Sequence, residues 1–90
     1  MKKIFLSDTA EAEFVNAVEY YTEISASLGS TFYRHIMSAL MQIQQFPDGH
    51  PQYNESYRYL ILKKFPYLII YRNEQDFVLV EAVANAYRNR

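Results

Sequence analysis

Tyrosines and cationic side chains gather in one part of this sequence, the stretch from Tyr57 to Arg72. Arginine and lysine neutralise phosphate groups, and aromatic rings stack on nucleobases. Residues of these types so close together predict a surface that binds an acidic partner. The candidate binding residues are Tyr57, Arg58, Tyr59, Lys63, Lys64, Arg72 and, near the end of the chain, Arg88.

The same residues also have ordinary structural explanations. Lys63 and Lys64 are typical of a hairpin turn, and Arg72 is close enough in sequence to pair with Asp76 or Glu81. Tyrosines are common in half-buried strands, where packing alone explains their presence. The structural and the functional interpretation of each residue therefore both stay open at this point.

The residues that could carry catalysis or bind a metal are few. The chain has no cysteine, two glycines and two histidines, His35 and His50. Neither histidine has an acidic residue at metal-ligand spacing, and two glycines cannot form a glycine-rich phosphate loop. Ser, His and Asp occur, but no motif brings them together as a hydrolase triad. We therefore predict no metal site and no cofactor.

The element that must position the tyrosines and cations is a β-hairpin. Two runs rich in β-branched and aromatic residues flank Lys63-Lys64-Phe65-Pro66, and Pro66 cannot donate to a strand ladder. A four-residue connection pairs Leu62 with Tyr67, Leu60 with Ile69, and Arg58 with Tyr71. Side chains then alternate between two faces that are both largely apolar.

Two amphipathic helices precede this hairpin. Asp8 and Glu11 have the spacing of a capping box for the first helix, and Gly29 suits a left-handed cap at its end. Ser30 is then the predicted cap of a second helix, which runs to about Gln45 and is stopped by Pro47. So short a link predicts an antiparallel helical hairpin.

With a short first strand at Lys2 to Leu6 and a last strand at Phe77 to Ala84, the order is β-α-α-β-β-β. This order predicts an α+β fold in which the helical hairpin covers one face of a mainly antiparallel four-stranded sheet. Placing Arg72 opposite Phe77 assigns to the helices the more apolar face, with Leu60, Ile69, Tyr71, Val78, Val80 and Ala82. The open face then carries Tyr57, Tyr59, Arg72 and Glu81, and a slip of one residue would exchange the two faces.

Length and composition indicate a single domain over residues 1–90. No stretch has the length of a membrane span and the N-terminus lacks a signal peptide, so we expect a soluble cytoplasmic protein. The formal net charge of −1 hides an asymmetry, because residues 1–56 are acidic and residues 57–90 are basic. A basic sheet face for an acidic partner is one explanation, and chance segregation of solvated charges is the other.

A set of short motifs runs in order along nearly the whole chain. They are Ala10-Glu11-x-Glu13-Phe14, Tyr20-Tyr21, Leu28-Gly29 with Phe32, Phe46-Pro47, Arg58-x-Leu60, Phe65-Pro66-Tyr67-x-Ile69-x-Tyr71 and Ala82-Val83-x-Asn85-x-x-Arg88-Asn89. In this order they resemble the RelE/ParE superfamily, the toxins of bacterial type II toxin–antitoxin modules, often called plasmid stabilisation proteins. The resemblance implies the toxin component of such a module and a cognate antitoxin partner.

The superfamily has two main activities, and the residues bear on the choice between them. RelE-like members cleave messenger RNA in the ribosome with two lysines on the second strand and an arginine on the third. In this chain those positions hold Tyr59, Ile61 and Leu68, whereas Arg88 matches a further arginine and has Tyr87 beside it. The resemblance therefore favours ParE-like members, which inhibit DNA gyrase and are not nucleases.

Phe65-Pro66-Tyr67 and Arg88-Asn89 also fit the ParE-like pattern, although Asn85 replaces its usual histidine and Arg90 its final proline. The alternatives are a RelE-like ribosome-dependent endoribonuclease and an inactive orphan relative. A nuclease of this kind would use the candidate catalytic residues Arg72, Tyr87 and Arg88.

The composition also predicts an exposed partner surface. The nine tyrosines and six phenylalanines, together with strands that are apolar on both faces, exceed what two helices can bury. An acidic antitoxin tail is expected near the basic segment Arg58 to Arg72, as a helix in a groove or as an added strand. The assembly would be a homodimer or a toxin–antitoxin hetero-oligomer.

Overall fold

The computed structural model describes residues 1–87. Its elements are β1 (Lys3–Leu6), α1 (Asp8–Ile24), α2 (Ala26–Gln45), β2 (Arg58–Ile61), β3 (Tyr67–Asn73) and β4 (Phe77–Asn85). The four strands form one sheet in the order β1-β4-β3-β2, in which β1 runs parallel to β4 and the other pairs are antiparallel. The predicted α+β fold is confirmed. No helix in residues 1–87 has the length and apolar character needed to cross a membrane.

The first helix starts one residue earlier than its predicted capping box. Ser7, not Asp8, is the N-cap, and its Oγ accepts a hydrogen bond from the N–H of Ala10 at 3.1 Å. The same hydroxyl donates to the carbonyl oxygen of Glu81 at 3.1 Å. This serine therefore caps α1 and joins the start of the helix to β4.

The link between the helices also differs from the prediction, because Ser25 alone forms it. Its N–H donates to the Tyr21 carbonyl at 3.0 Å and ends α1, while its Oγ accepts from the Leu28 N–H at 3.0 Å and begins α2. Gly29 is therefore not a left-handed cap, and Ser30 is not a cap. Instead Gly29 lies inside α2, where it is buried against Thr22 of α1.

The predicted register of the β2–β3 hairpin is confirmed. Arg58 lies opposite Tyr71 and Leu60 opposite Ile69, and the N–H of Leu62 donates to the carbonyl oxygen of Tyr67 at 2.9 Å. The apolar face assigned to the helices is also confirmed for the centre of the sheet, since Ile69 is fully buried in the core cluster.

The predicted register between β3 and β4 is wrong. Arg72 lies opposite Leu79 rather than Phe77, because β3 continues to Asn73 and the turn is closed by the Glu74 N–H donating to the Phe77 carbonyl at 2.9 Å. A shift of two residues preserves the alternation of faces. Val78 and Val80 therefore still point toward the helices as predicted, and both are fully buried.

A β-bulge reverses the faces farther along β4. Tyr71 pairs with Val80 but Ile70 pairs with Ala82, which leaves Glu81 as the extra residue of β4. As a result Val83, and not the predicted Ala82, joins the core cluster under the helices. The N–H of Val83 donates to Oε1 of Glu13 on α1 at 2.9 Å, so a helix side chain holds the strand just after the bulge.

An aromatic cluster fills one end of the core. The ring of Phe32 on α2 is fully buried and lies 4.8 Å from Tyr21, 5.0 Å from Phe65 and 5.2 Å from Tyr67, measured between centroids. Phe65 also meets the ring of His35 edge to face at 5.4 Å. The hairpin connection that carries Lys63 and Lys64 is therefore anchored to both helices through aromatic contacts.

Candidate binding site at the edge of β2

A cleft of about 520 Å³ opens between α2 and the edge strand β2. It combines one side of α2, the start of the loop after that helix, and β2 with the connection that follows. Its lining residues are His35, Ser38, Ala39, Gln42, His50, Pro51, Tyr59, Leu60, Ile61, Leu62, Lys63 and Lys64. Tyr59, Lys63 and Lys64 of the predicted binding residues thus meet in one concave site.

The electrostatic character of the cleft is basic. The cations of Lys63 and Lys64 are exposed at its rim, and both histidines of the chain lie in its wall. None of its lining residues is acidic. Such a site attracts carboxylate or phosphate groups through its local charge, even though the formal net charge of the chain is −1.

Part of the loop between α2 and β2 covers the first half of the outer edge of β2. Gln52 forms an isolated antiparallel bridge with Arg58, supported by the Tyr59 N–H donating to the Pro51 carbonyl at 3.0 Å. The N–H of Tyr53 also donates to the Tyr57 carbonyl at 2.7 Å. The loop therefore covers the outer edge of β2 only as far as Tyr59, next to the cleft.

Arg58 and Tyr71 hold this loop in place from beneath. Arg58 donates from Nη1 to the His50 carbonyl at 2.7 Å, and the Tyr71 hydroxyl donates to the Pro47 carbonyl at 2.6 Å. The His50 ring meets Tyr71 edge to face at 6.2 Å between centroids. Arg58 is therefore a support of the cleft wall, and its guanidinium already has a partner.

The buried Tyr71 hydroxyl gives the loop a measurable signature. Burial raises its pKa to about 12, with Arg58 opposing the rise and Asp48 adding to it. An unfolded tyrosine ionises near pH 10, so the stabilisation from this proton is complete below pH 10 and is lost as pH approaches 12. The loss is about 1.4 kcal/mol per pH unit over this window.

Tyr71→Phe tests this assignment. Near pH 8 the variant should be less stable by roughly 1–2 kcal/mol, because the Pro47 carbonyl loses its donor. The difference in stability between wild type and variant should then shrink as pH rises from 10 to 12. In this range the Tyr71 hydroxyl ionises in the unfolded wild type before it does so in the folded one, which lowers the stability of the wild type, and phenylalanine has no hydroxyl to ionise. Urea unfolding across that pH range measures the difference, and a constant difference would contradict the proposed burial effect.

Arg72 lies away from the cleft, on the open face at the far end of β3. Its Nε lies 2.7 Å from Oε2 of Glu74, and both side chains are partly exposed. Its partner is therefore Glu74, just after the end of β3, rather than Asp76 or Glu81. Tyr57 lies beside the loop bridge, just before β2.

The candidate catalytic residues do not come together among those described. Arg72 pairs with Leu79, whereas Tyr87 follows Asn85 at the other end of β4. Leu79 and Asn85 are about 20 Å apart along the strand at roughly 3.3 Å per residue. Tyr87 is 88% exposed. Arg88, a candidate for both binding and catalysis, lies outside the described residues. Within residues 1–87 no three His, Asp or Glu side chains cluster as metal ligands.

The sequence-based candidates did not include the residues that α2 contributes to the cleft. His35, Ser38 and Gln42 recur at spacings of three and four, beside the apolar stripe that contains Ile36 and Ala39. A polar stripe of this kind next to a buried one was a usable signal. It becomes informative only when a strand edge is known to lie opposite it.

Comparison with known proteins rests on structure, since no family model and no curated protein matches this sequence. One solved structure to which the chain is similar is the "Chromosomal ParDE TA system from P. aeruginosa". The superposition has a TM-score of 0.68, covers 94% of this chain and 96% of that chain, and shows 13% sequence identity. The chain therefore shares the fold of that structure over almost its full length.

Proposed function

We propose that this chain is the toxin of a bacterial type II toxin–antitoxin module and is neutralised by a cognate antitoxin. The observation that carries the proposal is the similarity over almost the full length of both chains to a structure of a ParDE toxin–antitoxin system. The ordered sequence motifs and the basic cleft at the edge of β2 support it independently. A binding protein needs such a surface and no catalytic group.

Within this proposal the chain is ParE-like and acts in the cytoplasm by contact with its target, for which DNA gyrase is the candidate. Tyr59 and Ile61 occupy the strand positions that hold lysines in RelE-like members, and neither side chain can hold a phosphate by charge. Arg72 and Tyr87 lie at opposite ends of the sheet. These placements favour binding over cleavage of messenger RNA.

Expression of the chain from a tightly repressed promoter tests the proposal. Induction should stop bacterial growth, and the purified protein should inhibit DNA supercoiling by gyrase in a concentration-dependent manner. Growth arrest with untouched supercoiling would exclude gyrase while retaining a toxin, and unimpaired growth would contradict the toxin assignment.

Toe-printing of messenger RNA on programmed ribosomes separates the remaining alternative. The proposal expects no new 3′ ends when the chain is added, under conditions in which a ribonuclease toxin cuts. New ends would assign the chain to ribosome-dependent cleavage instead.

A further inference from the structure

We propose that the cleft binds an extended acidic peptide segment, which adds to the sheet as a strand beside Ile61 of β2. The proposal deepens the proposed function, because an antitoxin tail is the expected natural occupant of the site. It relies on that function for the identity of the partner alone. The binding mode follows from the backbone, the shape and the charge of the cleft.

The backbone of β2 offers free hydrogen-bonding groups at the cleft. The N–H of Leu62 points inward to the Tyr67 carbonyl, and the N–H of Tyr59 points outward to Pro51. Because outward and inward groups alternate along a strand, the N–H of Ile61 also points outward. Among the described residues no hydrogen bond is formed there, since the covering loop leaves the edge at Pro51.

The departure of the loop creates the space for an added strand. If the antiparallel pairing of Gln52 with Arg58 extended toward the N-terminus of the loop, His50 and Gly49 would lie beside Leu60 and Ile61. The chain does not pair there, and the His50 carbonyl instead accepts a hydrogen bond from the Arg58 side chain. The position that a continued strand would fill is the cleft itself, so a segment from another chain can complete the pairing.

The side chains around this edge specify what the segment carries. Ala39 and Leu62 form an apolar floor that is almost fully buried, and the exposed Ile61 side chain, 56% accessible, extends the apolar surface at the edge. Lys63 and Lys64 flank that surface, and none of the residues that line the cleft is acidic. This arrangement fits an apolar side chain next to carboxylates. The exposed backbone edge beside Ile61 and the apolar floor favour a peptide over nucleic acid, since a strand edge pairs with another peptide backbone.

Phage display of random peptides of about twelve residues on the folded chain supplies a probe. We expect enrichment of peptides in which an apolar residue lies beside Asp or Glu. The enriched peptides are then synthesised and their affinity is measured by calorimetry against wild type and two edge variants. Failure to enrich peptides of this kind would overturn the proposal, whatever the outcome of the growth and gyrase assays.

The decisive variant is Ile61→Pro, with Ile61→Val as its matched control. Proline removes the outward N–H and is tolerated at a strand edge whose N–H faces solvent. We expect Ile61→Pro to weaken peptide binding at least about tenfold and Ile61→Val to change it less than about threefold. Equal binding by Ile61→Pro and wild type would overturn the proposal. If circular dichroism shows that Ile61→Pro unfolds, amide exchange in the wild type decides, and lack of protection at Ile61 on peptide binding overturns the proposal.

A charge comparison separates this mode from nonspecific attraction. Lys63→Glu with Lys64→Glu should weaken peptide binding at least about tenfold at low salt and abolish most of its salt dependence. Glu19→Lys with Glu23→Lys changes the charge by the same magnitude on the exposed side of α1 and should have little effect. Competition by a single-stranded oligonucleotide for the same site, with the Ile61→Pro variant unaffected, would assign the cleft to nucleic acid and overturn the peptide proposal.

Discussion

Replacement of Gly29 by alanine is expected to destabilise the fold far more than the same replacement at Gly49. A Cβ at this position would lie 2.9 Å from the Cα of Thr22 and would overlap its Oγ1. Movement of the Thr22 side chain cannot relieve the contact with the backbone, so the helices must separate. Overpacking of this kind costs about 3 kcal/mol, and the better helix propensity of alanine returns about 1 kcal/mol.

The net loss of about 2 kcal/mol corresponds to a fall in melting temperature of roughly 8–16 °C for a chain of this size. Gly49→Ala is the matched control, because its Cβ would meet Phe46 at 3.3 Å in a loop that can adjust. Differential scanning calorimetry on both variants measures the two effects. A Gly29→Ala melting temperature within a degree or two of wild type would show that α1 and α2 do not approach this closely.

The second large effect is expected for Phe32→Ala. Phe32 is fully buried and its ring contacts Tyr21, Phe65 and Tyr67, so truncation removes the centre of the aromatic cluster. Loss of a buried phenylalanine in this way costs about 3–5 kcal/mol. That is a large part of the stability of a small domain, so the variant is expected to be partly unfolded at 37 °C.

Tyr20→Ala is the control for this prediction. Tyr20 is 60% exposed and contacts the cluster at its margin through Tyr21, with 5.1 Å between the ring centroids. Its truncation should cost less than about 1 kcal/mol. Chemical unfolding of both variants gives the free energies, and similar values for the two would mean that the cluster does not form around Phe32.

The features that could be predicted from the sequence are those set by local alternation. The β2–β3 register followed from Pro66 and from the two apolar runs that flank it, because a four-residue connection fixes every pair beyond it. The stripes of the two helices followed from spacings of three and four. Both features depend on residues close together in the chain, so composition and period suffice to find them.

The errors arose where a pattern is compatible with two structures. Placing Arg72 opposite Phe77 or opposite Leu79 leaves the same side chains on each face, so alternation cannot separate these registers. The bulge at Glu81 then reverses the faces of β4, and no residue type marks it in advance. At Gly29 the glycine does provide close approach, but of one helix to another rather than of the chain to a left-handed turn.

The candidate site was predictable in part for a related reason. Tyr59, Lys63 and Lys64 lie close together in the sequence, and two adjacent lysines beside a tyrosine predict a basic surface. The cleft also needs the side of α2 that carries Ser38 and Gln42, together with a loop held down by Tyr71. These contacts join residues separated by twenty or more positions, as in the Tyr71 to Pro47 hydrogen bond across 24 residues. They become visible when the fold is known.

The parallel pairing of β1 with β4 has a consequence for the synthesis of this chain. Lys3 lies opposite Phe77 and Leu6 opposite Val80, so among the four described strands the first to be synthesised pairs with the last. Until β4 has emerged from the exit tunnel, β1 has no partner in the sheet, and the underside of α1 has no strand to cover. Long-range closure of this kind is slow compared with formation of the helical hairpin. The sheet of the nascent chain is therefore complete only after β4 has emerged, and a partner that recognises the finished sheet meets it no earlier.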